Sequence, residues 1–143
     1  MPPGSFALSR AMGHHHVRSS SLAGCSILIC EDEPLIALSI AEAFTAAGAR
    51  VTRVASVAEA FVFVEYECPS AVILDLALSD GESSPLGVRL KERSIPFVVH
   101  SGYSDLDGAC SNEVHVSKPA PPEVLVTEVL RLIKPPVPIL GGS

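Results

Sequence analysis

Side chains that can carry out phosphoryl chemistry stand at four separate places in the chain. Two carboxylates, Glu31 and Asp32, follow one apolar run, and a third, Asp75, follows another. The hydroxyl of Ser101 and the ammonium of Lys118 follow two more. Oxygen ligands suit Mg²⁺, which binds few protein carboxylates and keeps several waters. These residue types therefore favour a magnesium-assisted reaction in which Lys118 pairs with Asp75 before transfer and with a phosphoryl oxygen after it.

Each of these residues also has an ordinary structural explanation. Asp75 can cap the turn that it opens, and residues 31–33 can be the acidic first turn of a helix, which the helix dipole stabilises. Ser101 can belong to a turn beside Gly102, and Lys118 can be a solvated surface residue. Taken one at a time, the structural explanations are preferred. Taken together, at the ends of four strands in this order, they give way to a functional site.

Alternating strand and helix patterns have to position these side chains. Short apolar runs predict buried strands, and amphipathic runs with helix-start signals predict helices between them. The predicted strands are 26–30, 50–55, 71–75, 96–100 and 113–117, and the predicted helices begin near residues 34, 56, 85 and 121, with a weakly periodic one in 104–112. This alternation predicts a flavodoxin-like, doubly wound α/β fold whose five-stranded parallel sheet is covered by helices on both faces. The reactive edge of such a sheet lies beyond the carboxyl ends of its strands.

Composition limits the classes of protein that remain. The chain has 143 residues, 48% of them hydrophobic and 18% charged, which favours one domain with a real core and excludes a disordered protein. The net charge of −6, without a run of lysine or arginine, argues against nucleic acid or an anionic membrane as a partner. No apolar run is long enough to span a bilayer.

The ends of the chain differ in composition from its middle. Residues 1–24 include three consecutive histidines and no acidic residue, and we expect a flexible leader whose histidines are solvated. Residues 25–134 are the predicted domain, and the proline-rich residues 135–143 a tail. The cysteines lack CxxC spacing, which favours reduced thiols in a cytoplasmic protein over a disulfide or zinc framework. They are Cys25, Cys30, Cys68 and Cys110.

Four segments in this order resemble the motifs of response-regulator receiver domains. They are residues 27–34, 72–78, 98–103 and 116–119, and the resemblance covers about residues 25–134. It implies a CheY-like fold. Residues 96–103, with the Asp-Gly-Glu-Ser stretch after the third strand, are also similar to the single-domain alphaproteobacterial receivers known as the "FAT GUY" group. Ser101 and Ala120 depart from that group, where a threonine and a phenylalanine are usual.

The resemblance implies a specific role for each acidic residue. Asp75 would accept a phosphoryl group from a sensor histidine kinase or a phosphotransfer protein. Asp32 and Asp75 would bind Mg²⁺ directly, Glu31 would bind it through a water, and the backbone carbonyl of Ala77 would complete the protein ligands.

The resemblance also implies how the phosphorylated state is sensed. Ser101 would supply the switch hydroxyl, and Lys118 would contact the phosphoryl group from a Lys-Pro context that often has a cis peptide. The aromatic switch residue of ordinary receivers corresponds to a place near His115, which is smaller and polar. We therefore expect Tyr103 to carry part of the readout.

Three classes of function remain to be compared. The leading one is a stand-alone receiver, a signalling domain and not an enzyme, with no output domain after residue 134. It would dock on a protein partner when phosphorylated, or act as a phosphate sink. The alternative is a small haloacid dehalogenase-like phosphatase with Asp75 as nucleophile, but that chemistry usually wants an aspartate where Ala77 stands. A non-phosphorylated scaffold would lack at least one site residue, and none is missing.

Overall fold

Strands and helices alternate along residues 21–78, 80–102 and 114–133, the parts of the chain that the computed structural model describes. The strands are β1 (Ser26–Cys30), β2 (Arg50–Val54), β3 (Ala71–Leu74), β4 (Ala77–Leu78), β5 (Gly81–Glu82), β6 (Phe97–Ser101) and β7 (Val114–Ser117). The helices are α1 (Pro34–Ala46), α2 (Val57–Tyr66), α3 (Ser84–Glu92) and α4 (Pro122–Ile133). The predicted helix in 104–112 lies outside the described residues.

Five of the strands form one parallel sheet in the order β2-β1-β3-β6-β7. Every residue of the central strand β3 is buried, whereas β2 and β7, at the edges, are partly exposed. Strands buried on both faces read as continuous apolar runs, which is why their pattern is visible in the sequence. The predicted doubly wound, flavodoxin-like sheet is confirmed. Its strand order reverses between β1 and β3, and ligands of such sheets bind at this point.

The four described helices cover the sheet as two pairs. Helices α1 and α4 pack on one face and α2 and α3 on the other. The first core contains Phe44 and the second Leu28, both fully buried. Alternate residues of β1, β3 and β6 point into the two cores, so each central strand is fixed from both sides.

Local signals set the bounds of the first two helices. Pro34 opens α1, and the chain leaves that helix through Gly48, whose φ of 100° is unfavourable for residues with a side chain. At the start of α2, the Ser56 hydroxyl accepts a hydrogen bond from the Glu59 amide at 3.1 Å. Glu59 in turn accepts from the Ala55 amide at 3.0 Å. The predicted capping pattern is therefore present, although Glu59 reaches one residue further back than a standard capping box.

Two parts of the chain are more ordered than their sequences indicate. The segment after Asp75, predicted as a loop, contains a short antiparallel hairpin in which Ala77 pairs with Glu82 and Leu78 with Gly81. Leu22, inside the predicted leader, is fully buried in the core beside α1, and its amide donates to the Ala47 carbonyl at 2.8 Å. Packing therefore begins before residue 25, because an apolar side chain just ahead of β1 covers the end of α1.

Among the described helices, none combines the length and the apolar character that crossing a bilayer requires. Cys25, Cys30 and Cys68 are free thiols, which agrees with the predicted reduced state for these three. Burial raises the pKa of the Cys30 thiol far above its usual range, and the charge of Asp75 raises it further. Cys30 is therefore an inert core residue.

Candidate functional site

Three carboxylates meet where the strand order reverses. Glu31 and Asp32 follow β1, and Asp75 follows the neighbouring strand β3. One oxygen from each of them lies within 4.8 Å of the other two. Glu31 and Asp75 are only 3% and 4% exposed, and Asp32 is half-buried. The topology thus brings together acidic side chains that are more than forty positions apart in the chain.

The electrostatics of this cluster suit a divalent cation. Burial raises the pKa of Glu31, the Lys118 ammonium lowers it, and the charge of Asp75 raises it again, so that the net shift is upward. Crowded carboxylates resist ionisation in this way unless positive charge joins them. The candidate ligands offer only oxygen, and Asp32 keeps the cluster partly open to solvent. This donor set fits Mg²⁺ better than a metal that prefers nitrogen or sulfur.

Lys118 supplies the fixed positive charge of the site. Its Nζ lies 2.9 Å from Oε1 of Glu31 and 3.1 Å from Oδ2 of Asp75. Burial alone would lower the pKa of this lysine, but the bonds to the two carboxylates outweigh burial and raise it, so the ammonium stays charged. The peptide bond from Lys118 to Pro119 is cis.

Asp75 is held by the backbone on either side of it. Its Oδ1 accepts a hydrogen bond from the Ala77 amide at 3.0 Å, and its own amide donates to the Cys30 carbonyl at 3.1 Å. The buried hydroxyl of Ser83 donates to the Asp75 carbonyl at 2.6 Å. One carboxylate oxygen therefore contacts Lys118 and the other contacts Ala77, which limits the rotation of the side chain.

Of the other predicted residues, one lies at the same edge of the sheet, one lies within the neighbouring edge strand, and one is outside the described part. Ser101, at the end of β6, is buried, and its carbonyl accepts from the Lys118 amide at 2.8 Å. His115 is half-buried in β7, beside Val99 of the neighbouring strand. Tyr103 lies outside the described residues, so its predicted readout role stays a prediction.

His100 is a notable residue that the sequence interpretation passed over. It is 3% exposed, and neither ring nitrogen has a hydrogen-bond partner among the described residues. Burial, helped by the nearby charge of Lys118, lowers its pKa to about 4. The imidazole is therefore neutral at pH 7. The only sequence signal is a polar residue inside the buried run of β6.

Asp80 was also missed, although it makes two strong contacts. Its Oδ1 accepts from the Val57 amide at 2.8 Å and its Oδ2 from the Ala58 amide at 3.1 Å. These amides belong to the first turn of α2, more than twenty residues earlier in the chain. Sequence alone marks Asp80-Gly81 as a turn, and nothing in the local pattern points to a partner in another helix.

No family model and no curated protein matches the chain. Solved structures do match. A response regulator receiver domain (CheY-like) from Methylobacillus flagellatus is 24% identical, covers 73% of this chain and 98% of its own, and superimposes with a TM-score of 0.63. A sensor protein from Polaromonas sp. JS666 is 27% identical, with 77% and 96% covered and a TM-score of 0.69.

A two-component response regulator from Clostridium difficile is 17% identical, with 78% of this chain and 97% of that chain covered and a TM-score of 0.69. The similar structures thus include response-regulator receiver domains, and the chain has the CheY-like receiver fold. The resemblance to the "FAT GUY" group stays a prediction.

Proposed function

We propose that this chain is a receiver domain of two-component signal transduction that accepts a phosphoryl group on Asp75. The observation that carries the proposal is the position of Asp75 at the end of the central strand, 3.1 Å from the Lys118 ammonium and within 4.8 Å of the Glu31 and Asp32 carboxylates. The similarity to solved receiver domains supports it. The donor would be a sensor histidine kinase or a phosphotransfer protein, which implies a cytoplasmic location.

In the proposed reaction, a carboxylate oxygen of Asp75 forms a bond to phosphorus while the bond from phosphorus to the donor's imidazole nitrogen breaks. The electron pair of the broken bond returns to the imidazole. Lys118 moves its hydrogen bond from Asp75 to a phosphoryl oxygen, and the Ser101 hydroxyl donates to another. Phosphoryl transfer depends mostly on positioning and on charge around the equatorial oxygens, and these residues supply both.

Magnesium would be held by Asp32 and Asp75 directly, by Glu31 through a water, and by the backbone carbonyl of Ala77. When bound, it would neutralise charge on the phosphoryl oxygens. Asp75 needs this help, because a phosphodianion approaching three carboxylates is repelled by all of them. Lys118 does not offset this repulsion by itself, because its single positive charge is shared between Glu31 and Asp75.

The proposed output is a signal and not the turnover of a substrate. A phosphatase that used Asp75 as nucleophile would want a second aspartate two residues later as general acid, and Ala77 has no titratable group. Phosphorylation adds negative charge at a densely packed edge of the sheet, which can change what binds there. Leu35, which is 79% exposed at the start of α1 and lines a cavity together with Lys118, offers a partner an apolar surface close to the site. Docking on such a partner and acting as a phosphate sink both remain compatible with this site.

The test uses the full chain, saturating Mg²⁺, acetyl phosphate and intact-mass measurement. We expect the wild type to gain one phosphoryl group and Asp75→Asn to gain none. Glu92→Gln, which removes an exposed carboxylate on α3, is the matched control and should behave like the wild type. A folded wild type that gains no phosphoryl group, or an Asp75→Asn variant that still gains one, would falsify the proposal.

A further inference from the structure

The segment that follows Asp75 is held to Asp75 at both of its ends and to another helix at its tip. Near its start, the Ala77 amide donates to Oδ1 of Asp75. At its end, the fully buried Ser83 donates to the Asp75 carbonyl. Between them, Asp80 sits in the turn of the β4–β5 hairpin and binds the first turn of α2. The hairpin therefore reaches across from the candidate metal site to a different helix.

The contacts of Asp80 are not duplicated by the helix's own cap. A helix begins with backbone N–H groups that have no partner within the helix. In α2, the Ser56 hydroxyl accepts a hydrogen bond from the Glu59 amide, and the Ser56 carbonyl accepts one from the Ala60 amide. The amides of Val57 and Ala58 donate to the Asp80 carboxylate instead. The first turn of α2 is thus completed only by a residue from the hairpin.

The charge of Asp80 suits this place. The hydrogen bonds from the Val57 and Ala58 amides lower the pKa of its carboxyl group, so it is ionised at neutral pH. A negative charge at a helix N-terminus is also favoured by the helix dipole. The turn itself is allowed by Gly81, whose φ is 146°.

We infer that Asp80 is a positioning residue for the metal and phosphoryl site, which holds the hairpin so that the Ala77 carbonyl and amide stay in place beside Asp75. The inference rests on the proposed function, because it takes Ala77 as part of the metal's ligand set. It adds a link that the proposed function does not contain, namely that the first turn of α2 and the metal site are coupled. Such coupling is reciprocal, so metal binding should also protect the Asp80 contacts.

The experiment compares the loss of two bonds to the same helix. Asp80→Ala removes the bonds to Val57 and Ala58, whereas Ser56→Ala removes the bond to Glu59 and leaves the hairpin untouched. Mg²⁺ alone is titrated into each full-length protein by calorimetry, and amide exchange of Val57 and Ala58 is followed by NMR with and without Mg²⁺. A role restricted to helix stability would affect both variants alike.

We expect Asp80→Ala to weaken Mg²⁺ binding about tenfold, at the lower end of the loss that follows when a group supporting a metal ligand is removed. Ser56→Ala should stay within about twofold of the wild type, and Mg²⁺ should slow exchange at Val57 and Ala58 in the wild type. If circular dichroism shows that Asp80→Ala is unfolded, the comparison uses Asp80→Asn, which keeps an acceptor oxygen. This variant should show a smaller loss of Mg²⁺ affinity in the same direction.

Two results would overturn the inference while leaving the proposed function intact. One is wild-type Mg²⁺ affinity in the folded Asp80 variant, and the other is an equal loss in Ser56→Ala. A folded wild type that does not bind Mg²⁺ at all would instead overturn the proposed function, and the inference with it.

Discussion

Lys118 Nζ lies 2.9 Å from Oε1 of Glu31, slightly closer than the 3.1 Å that separates it from Oδ2 of Asp75. The side chain of Glu31 is 1% exposed and that of Lys118 20%. A buried carboxylate therefore anchors the lysine independently of Asp75. In the proposed reaction, Lys118 would only have to turn toward the incoming phosphoryl group and would stay paired with Glu31.

This anchoring predicts a large coupling between Lys118 and Glu31. We expect Lys118→Met to lower the free energy of unfolding by about 2 kcal/mol, because two buried carboxylates lose their counter-charge. Adding Glu31→Gln should restore part of the loss, with a coupling of about 1 kcal/mol or more in the double-mutant cycle. Urea unfolding in the presence of EDTA measures each variant. Arg131→Met, which breaks an exposed pair with Glu128, is the control and should change little. Strictly additive effects of the two site substitutions would contradict the anchoring.

The carboxylate cluster predicts that Mg²⁺ stabilises the fold. A ligand that binds only the folded state, at about 100 times its dissociation constant, adds about 2.7 kcal/mol. Thermal unfolding should therefore shift upward with MgCl₂ in the wild type and in Glu92→Gln, but much less in Asp32→Asn. Sodium chloride at the same ionic strength controls for screening. An equal shift in Asp32→Asn would place the ion elsewhere.

His100 predicts a gain in stability when it is replaced. Its two ring nitrogens are buried without partners among the described residues, which costs free energy that an apolar side chain of similar size does not incur. His100→Leu should raise the free energy of unfolding at pH 7 by about 1 kcal/mol in urea titrations. A destabilised variant would show that the imidazole makes a contact whose stabilisation exceeds the cost of burying its ring nitrogens.

The same residue predicts a difference in acid stability. The pKa of folded His100 is about 4, against an ordinary value of 6.5, so between these values the unfolded chain binds a proton that the folded chain does not. Stability from this group is fully present above about pH 6.5 and is lost as the pH falls toward 4, by up to about 3 kcal/mol. The gap between His100→Leu and the wild type should therefore widen as the pH falls. The raised pKa of Glu31 acts in the opposite direction, but it is present in both proteins. If the free energies of unfolding of the two proteins changed with pH in parallel, the lowered pKa of folded His100 would be contradicted.

Two turns predict opposite effects of adding or removing a side chain. Ser94 follows α3 with a φ of 58°, which residues other than glycine rarely adopt, and Gly48 follows α1 with a φ of 100°. Ser94→Gly should raise the free energy of unfolding by about 0.5–1 kcal/mol, and Gly48→Ala should lower it by at least as much. Chemical denaturation of the two variants gives both signs. A destabilised Ser94→Gly would mean that the serine makes up for its backbone strain elsewhere.

The sheet could be predicted from the sequence because each inner strand is a short apolar run that stops at a polar residue. In the run from Ala71 to Asp75, the four buried residues and the acidic residue after them define both the strand and the edge of the sheet where the candidate site lies. Parallel topology then places Asp75 beside Glu31 without any knowledge of distances. The position of Lys118 follows likewise, because it comes just after another parallel strand and the carboxyl ends of such strands share one edge of the sheet.

Contacts made at a distance could not be predicted in this way. Asp80 has the sequence of a turn residue, and its bonds to Val57 and Ala58 exist only because the hairpin folds over the start of α2. The apolar pattern around His100 indicates that its strand is buried, but it does not show whether the imidazole has a hydrogen-bond partner. The ion pair between Glu31 and Lys118 depends likewise on side-chain direction, which apolar periodicity does not contain.

Among the described strands, β2 pairs with β1 alone, and the exposed residues of β2 include Arg50 and Arg53. An open strand edge is a template on which a second copy can add its own strand and extend the sheet. Two β2 strands laid side by side would bring these guanidinium groups close together, and like charges facing each other across a strand pair are unfavourable. The arginines thus oppose aggregation through this edge, on the opposite side of β1 from Asp75.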